Sequence, residues 1–141
     1  MMKSTFSIAA FLAMAGLAAA AGAHGPAGHE ETIEVLQHQP LAGVQGKQAI
    51  MLKVAYAPGK KSAGHTHPGP VFAYVLEGEV ESQLQGQAPV VYKAGQSWYE
   101  APGARHLVSR NASKTKPATL LVWMVKGEEE APVLPLQEEK P

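Results

Sequence analysis

Three of the six histidines in the chain have a spacing that could do chemistry. His65 and His67 lie two residues apart in the run Gly64-His65-Thr66-His67-Pro68-Gly69-Pro70. On an extended strand, residues i and i+2 face the same side, roughly 6.5–7 Å apart along the backbone. Two imidazoles so placed can converge on one metal ion, with bonds of about 2.0–2.2 Å. His106 ends a second Gly/Pro-containing run, Ala101-Pro102-Gly103-Ala104-Arg105-His106, ahead of another predicted strand. Three imidazoles held on strands supply three ligands and leave coordination positions for water, dioxygen or substrate. The expected cofactor is one divalent transition metal: Fe, Ni, Cu, Zn or Mn. The plain alternative for an isolated His-x-His is a surface histidine pair.

Composition removes most other chemistries. The 141 residues suffice for one domain. Lys plus Arg and Asp plus Glu are 12 each, so the formal charge is zero and no basic footprint for nucleic acid exists. All the acids are Glu, which excludes a literal Ser-His-Asp triad and an EF-hand loop. The absence of Cys excludes thiol catalysis, disulfides and cysteine-ligated zinc or iron–sulfur centres.

The elements that must position the histidines are short strands. Lys3 followed by the apolar run from Ile8 to Ala21 and by Ala21-Gly22-Ala23 reads as a signal peptide over 1–23. The mature protein is then expected to be periplasmic or secreted, with no membrane contact after cleavage. A flexible lead-in covers 24–31, a barrel domain 32–126, and an acidic, Pro-containing tail 127–141 is expected to be partly disordered, the alternative being that Val133, Leu134 and Leu136 dock it onto the barrel. Alternation predicts strands over 32–37 and 48–57, the latter with Ile50, Leu52, Val54 and Tyr56 on one face. Val71 to Glu77 is apolar almost throughout, the pattern of a strand covered on both faces. Gly78 is expected to turn it into a hairpin with 79–85. Further strands are predicted at 90–92, 97–100, 106–110 and 118–125. About eight short strands with Gly or Pro punctuation predict an all-β sandwich or barrel. Asn111-Ala112-Ser113 matches a glycosylation sequon and is read as chance.

The histidine runs and their glycines together resemble the two motifs of the cupin family. The first reads Gly59, five residues, His65-Thr66-His67, three residues, Val71, six residues, Gly78. The second reads Gly95, five residues, Ala101-Pro102-Gly103, two residues, His106, three residues, Arg110. The resemblance spans about residues 48–125 and implies a small antiparallel double-stranded β-helix, the jelly-roll barrel, as a single domain. It implies His65, His67 and His106 as metal ligands. Val71 stands where the family's metal-binding Glu usually lies, Ala101 where its first Pro lies, and Arg110 where its Asn lies. Loss of the anionic ligand leaves a three-His site, which favours imidazole-friendly ions over Mn²⁺. Some cupin dioxygenases are similar in using three His alone.

Two acids are candidates to replace the missing one. Glu77 reads as a rim residue beside Gly78. Glu100 shares parity with Trp98 and is a candidate to orient an imidazole or act as a general acid/base; the alternative is a solvated strand-end carboxylate. Tyr74 and Trp98 are candidates to line a substrate cavity. Tyr56, Phe72, Tyr99 and Trp123 share that reading, against core packing for the whole set. Arg105 is a candidate to hold a substrate carboxylate. Lys60 and Lys61 read as solvated, His24 and His29 as part of a flexible lead-in, and His38 receives no role. Two functions stay open. One is a metal-dependent enzyme, dioxygenase-like, acting on a small organic molecule. The other is a non-catalytic ligand-binding or sensing module with a degenerate metal site. Homodimerisation through an edge strand near 32–38 is a further expectation.

Overall fold

The computed structural model describes residues 30–137. The expected signal peptide, His24 and His29 lie outside the described residues. The strands are β1 (Thr32–Pro40), β2 (Lys47–Tyr56), β3 (Lys61–Ser62), β4 (His65–Thr66), β5 (Val71–Glu77), β6 (Glu79–Leu84), β7 (Val90–Lys93), β8 (Ser97–Glu100), β9 (His106–Asn111), β10 (Ala118–Gly127) and β11 (Leu134–Pro135). Two of these, β2 and β10, carry the clearest alternation. Ile50, Leu52, Val54 and Tyr56 point inward from one, and Ala118, Leu120, Val122 and Met124 from the other. They pair antiparallel, with Leu120 opposite Val54 and Met124 opposite Ile50. The five-stranded sheet they centre has the order β1-β2-β10-β5-β8. The second sheet runs β11-β4-β9-β6-β7, with β3 also on β9. Every pairing is antiparallel, and the two sheets form the expected jelly-roll.

The two inner faces differ in chemistry. The first sheet contributes nearly all the apolar core, including Val71, Ala73 and Val75 of β5. Burying each Val, Leu, Ile or Met side chain among them contributes roughly 1.5–3 kcal/mol. The second sheet faces inward with Ser62, His65, Ser82, His106, Ser109 and Asn111, and only Val80 joins the apolar core from it. Buried polar groups require partners. The Tyr56 hydroxyl, from the first sheet, makes hydrogen bonds with Ser62 Oγ at 2.6 Å and Ser109 Oγ at 2.9 Å. It ties the apolar wall to the polar one.

Several expectations change. Strands β5 and β6 do not form a hairpin: β5 pairs with β10 and β8, and β6 with β7 and β9. Gly78 carries the chain from one sheet to the other with φ +75°, and a Cβ there would lie 2.4 Å from the Pro117 carbonyl oxygen. The outer face of β5 is not covered, since Phe72, Tyr74 and Leu76 are exposed. An apolar run arises here from an inner core face and an outward aromatic face, which periodicity alone does not separate from double coverage. Asn111 is buried, and its Nδ2 donates to the carbonyls of Tyr56, Ala57 and Lys116 while Oδ1 accepts from Ser113 N–H. That occupancy keeps the sequon's amide inside the barrel wall. The tail, expected to be partly disordered, has defined structure to Gln137 and forms β11 against β4.

Candidate metal centre

The second sheet brings the three histidines together. His65 on β4 stands directly opposite His106 on β9. His67 follows β4 by a residue and faces the same side. Ring centroids lie 4.8 Å apart for His65 and His67, and 5.0 Å for His65 and His106. All three residues are buried. From the opposite wall comes Glu100, at the end of β8 and only 3% exposed. Its register partner is Val71. A carboxylate thus stands directly beside position 71 on the neighbouring strand, at the same level of the barrel. The alternative reading of Glu100 as a solvated strand-end group is overturned by its burial.

Each side chain is held by a group behind it. Nδ1 of His65 lies 2.7 Å from the Ala63 carbonyl oxygen, and Nδ1 of His67 lies 2.6 Å from that of Pro132. A carbonyl only accepts, so both rings carry their hydrogen on Nδ1 in these bonds. His106 bonds through Nε2 to Ser82 Oγ at 2.8 Å. The Trp98 indole N–H donates to Glu100 Oε1 at 2.9 Å. Glu100 in turn approaches two rings, with Oε1 at 3.2 Å from His106 Nδ1 and Oε2 at 3.8 Å from His67 Nε2. Burial pushes the His65 imidazole down to about 4 and also lowers His67. Burial alone would raise the Glu100 carboxyl, but the hydrogen bond and charge of His106, the Trp98 N–H and His67 outweigh it and bring it down to about 2. The cluster thus favours neutral His65 and His67 beside an ionised carboxylate.

Whether these residues fit a cation can be judged on their unsatisfied atoms. Among the described residues, Glu100 Oε2 and His106 Nδ1 are buried and make no hydrogen bond of good geometry, although Glu100 Oε1 lies 3.2 Å from that Nδ1. Leaving such groups unpaired costs about 1–3 kcal/mol each, more when charged. As they stand, no three His or Glu side chains among the described residues are arranged to hold an ion. The donor set itself, three imidazoles with a carboxylate approaching two of them, fits a divalent transition metal by its chemistry.

The cluster sits at one side of a cavity of about 60 Å³, far below the roughly 300–1,000 Å³ of pockets for drug-sized ligands. Trp98 and Val71 line it near the cluster, and Leu52, Val54 and Met124 line the apolar remainder. Trp98 thus stands where a cavity wall was expected. Tyr74 does not: it lies on the outer face of β5, 44% exposed, because its parity is opposite to that of Val71 and Ala73. Arg105 does not line this cavity either. It borders a separate surface hollow with Tyr99, Gln85 and Gln87, and its Nε has no hydrogen-bond partner among the described residues. No Lys or Arg lines the cavity among the described residues. His38 pairs with Gln48, away from the cluster.

Sequence reasoning missed Ser82 and Pro132, and weighed Val133 only as a residue that could dock the tail. Ser82 shares parity with buried Val80 on β6, so an inward Ser between apolar neighbours was the available signal. Val133 lines the cavity although it lies in the tail. Its apolar neighbours Leu134 and Leu136 within an acidic stretch were the corresponding hint.

A two-sheet antiparallel barrel with histidines buried at one side of its interior defines the class of jelly-roll proteins with a candidate metal pocket. Residues 52–124, more than half of the chain, match the family described as Cupin domain. The chain belongs to the cupin family. No curated protein sequence matches it. Among solved structures, it is similar to the DMSP lyase DddQ from Ruegeria pomeroyi DSS-3, with TM-score 0.61 and 23% identity, covering 78% of this chain and 54% of that one. It is also similar to a cupin-like protein from Thermotoga maritima MSB8, with TM-score 0.59 and 19% identity, covering 75% of this chain and 84% of that one. An oxalate oxidase structure is similar with TM-score 0.54 and 23% identity, covering 62% of this chain and 46% of that one. The chain spans about half the length of the DMSP lyase. At these identities the likeness shows the fold.

Proposed function

We propose that this cupin binds one divalent transition metal through His65, His67 and His106, with Glu100 as the anionic partner, and acts on a very small organic molecule. The observation that carries the reading is the buried cluster itself, in which Glu100 Oε2 and His106 Nδ1 make no hydrogen bond of good geometry among the described residues. Bound there, the metal would act as a Lewis acid or bind dioxygen, so the reaction class is metal-assisted acid–base chemistry or a dioxygenase-like oxidation. The protein's own contributions follow from the geometry. Ser82 and the Ala63 and Pro132 carbonyls orient the imidazoles. Trp98 fixes the Glu100 carboxylate, which can take or return a proton at Oε2. The small cavity, with mostly apolar exposed surface, limits the substrate it encloses to a few non-hydrogen atoms. With no Lys or Arg in the lining among the described residues, no side-chain cation of fixed charge would compete with the metal for a substrate carboxylate.

The cavity's size also favours a second reading, a non-catalytic module that holds a metal or a very small ligand. Metal content by mass spectrometry decides first. One equivalent of a single metal in the wild type, lost in a His65→Ala/His106→Ala variant, supports the site; equal traces in both refute it. Dioxygen consumption and substrate screening of the loaded protein then separate enzyme from binding module.

The N-terminal apolar run supports export to the periplasm or beyond, which N-terminal sequencing of the exported protein tests. The position of β1 at a sheet edge supports pairing between copies, which light scattering tests.

A further inference from the structure

The segment after β10 returns across the site. Lys126 Nζ donates to the Gly127 and Glu128 carbonyls, at 2.8 and 3.2 Å, and Gln48 Nε2 donates to Glu128 O at 3.1 Å. From this anchored turn the chain places the Pro132 carbonyl against His67 Nδ1 and Val133 into the cavity wall. Leu134 and Pro135 then pair with Thr66 and His65, and Leu136 N–H donates to Gly64 O at 3.1 Å. One short segment therefore touches both ends of the His-x-His run, orients one of its rings and lines the cavity. Its seat is nevertheless slight. The ladder is two residues long, and Leu134 is 45% exposed. Segments with few buried contacts open at low free-energy cost. Pro132 and Pro135 stiffen the segment and so reduce the entropy lost on seating.

We infer that residues 131–136 form a strap that completes the metal centre: seated, its Pro132 carbonyl holds His67 as the Nδ1–H tautomer with Nε2 turned to the site, and Val133 closes the cavity. This rests on the metal reading above and adds a positioning element to it. A neutral imidazole with its hydrogen on Nδ1 has its lone pair on Nε2, the atom that faces Glu100. Seating of the strap raises metal affinity, and by linkage a bound metal holds the strap down by the same factor. Exchange of metal or substrate requires the strap to lift.

The test compares the full chain with a variant ending at Glu130 and with full-length Leu136→Ser, which weakens the seat without shortening the chain. Imidazole ¹⁵N shifts in the metal-free proteins report the His67 tautomer. Co²⁺ titration and its removal by a chelator report affinity and exchange. The full chain should show Nδ1–H at His67, with that preference lost in the truncated chain and weakened in Leu136→Ser. Co²⁺ affinity should fall by about 10–100-fold on truncation, the range for losing a group behind a metal ligand, with correspondingly faster removal. Should the truncated chain not fold, Leu136→Ser carries the comparison alone. An unchanged tautomer overturns the strap, as do unchanged affinity and removal rate when Co²⁺ binds. Failure of the full chain to bind Co²⁺ while the tautomer still follows the strap overturns the metal reading and leaves the positioning role standing.

Discussion

Val71 and Glu100 are direct register partners across β5 and β8, both buried and both directed into the barrel. The strand that lacks the family's acid thus lies beside a strand that has one at the same level. A carboxylate in this place needs a barrel interior, not a particular strand.

Glu100→Gln should keep the fold, because the amide retains an oxygen to accept the Trp98 N–H. It should lower divalent-metal affinity at least about tenfold by removing an acid that approaches two of the rings. The exchange variant Val71→Glu/Glu100→Val moves the acid across the ladder and should recover most of that loss. Isothermal titration of the wild type and both variants checks it. Equal affinity for Glu100→Gln and wild type would remove Glu100 from the site.

Acid should destabilise the metal-free protein in two stages. His65 has its folded value near 4 against 6.5 for the free group, so the unfolded chain takes up a proton that the folded chain refuses. Stability therefore falls as pH drops through that window. Glu100, near 2 when folded and 4.5 when free, continues the loss below pH 4.5. The His65 contribution is on the order of 3 kcal/mol. Urea unfolding at a series of pH values measures the slope, and a His65→Gln variant should flatten its upper part.

Gly78→Ala places a side chain at positive φ and against the Pro117 carbonyl. It should destabilise the barrel by about 2–4 kcal/mol, from left-handed strain plus overlap. Thermal unfolding compared with an Ala substitution at the exposed Gly86 separates the overlap from the backbone term, since Gly86 shares the positive φ but has nothing within 4 Å.

Tyr56→Phe should destabilise by roughly 1–3 kcal/mol, since Ser62 and Ser109 lose a buried partner. Burial pushes the Tyr56 hydroxyl up to about 12, so it stays neutral and is no anionic ligand near neutral pH. Metal stoichiometry should therefore be unchanged in the same variant, which mass spectrometry of the purified protein checks.

The fold was legible because β2 and β10 alternate cleanly and because the motif glycines mark turns. His65, His67 and His106 were legible through their spacing and neighbours. What stayed hidden depends on which strands meet. The partnership of Glu100 with position 71 is a matter of register between strands separated by two others in sequence. The inward Ser82 and the strap depend on which sheet the chain enters after Gly78 and after Gly127. The outward Tyr74 was misplaced because β5 is apolar from Val71 to Leu76 on both faces, and parity decides only once one inward residue is known. The tail's composition favoured partial disorder over docking, yet Val133 and Leu134, lying between its two charged clusters, reach the barrel.

The site also lies in the less secured half of the barrel. Strands β2 and β10 are ten residues each and sit inside the five-stranded sheet. Strands β3, β4 and β11, which surround His65, are two residues each. Amides of the long pair should exchange with deuterium only when the whole molecule unfolds, and those at 61–66 and 134–136 through local opening. One wall of the barrel stores the stability while the other, bearing the histidines, is free to breathe.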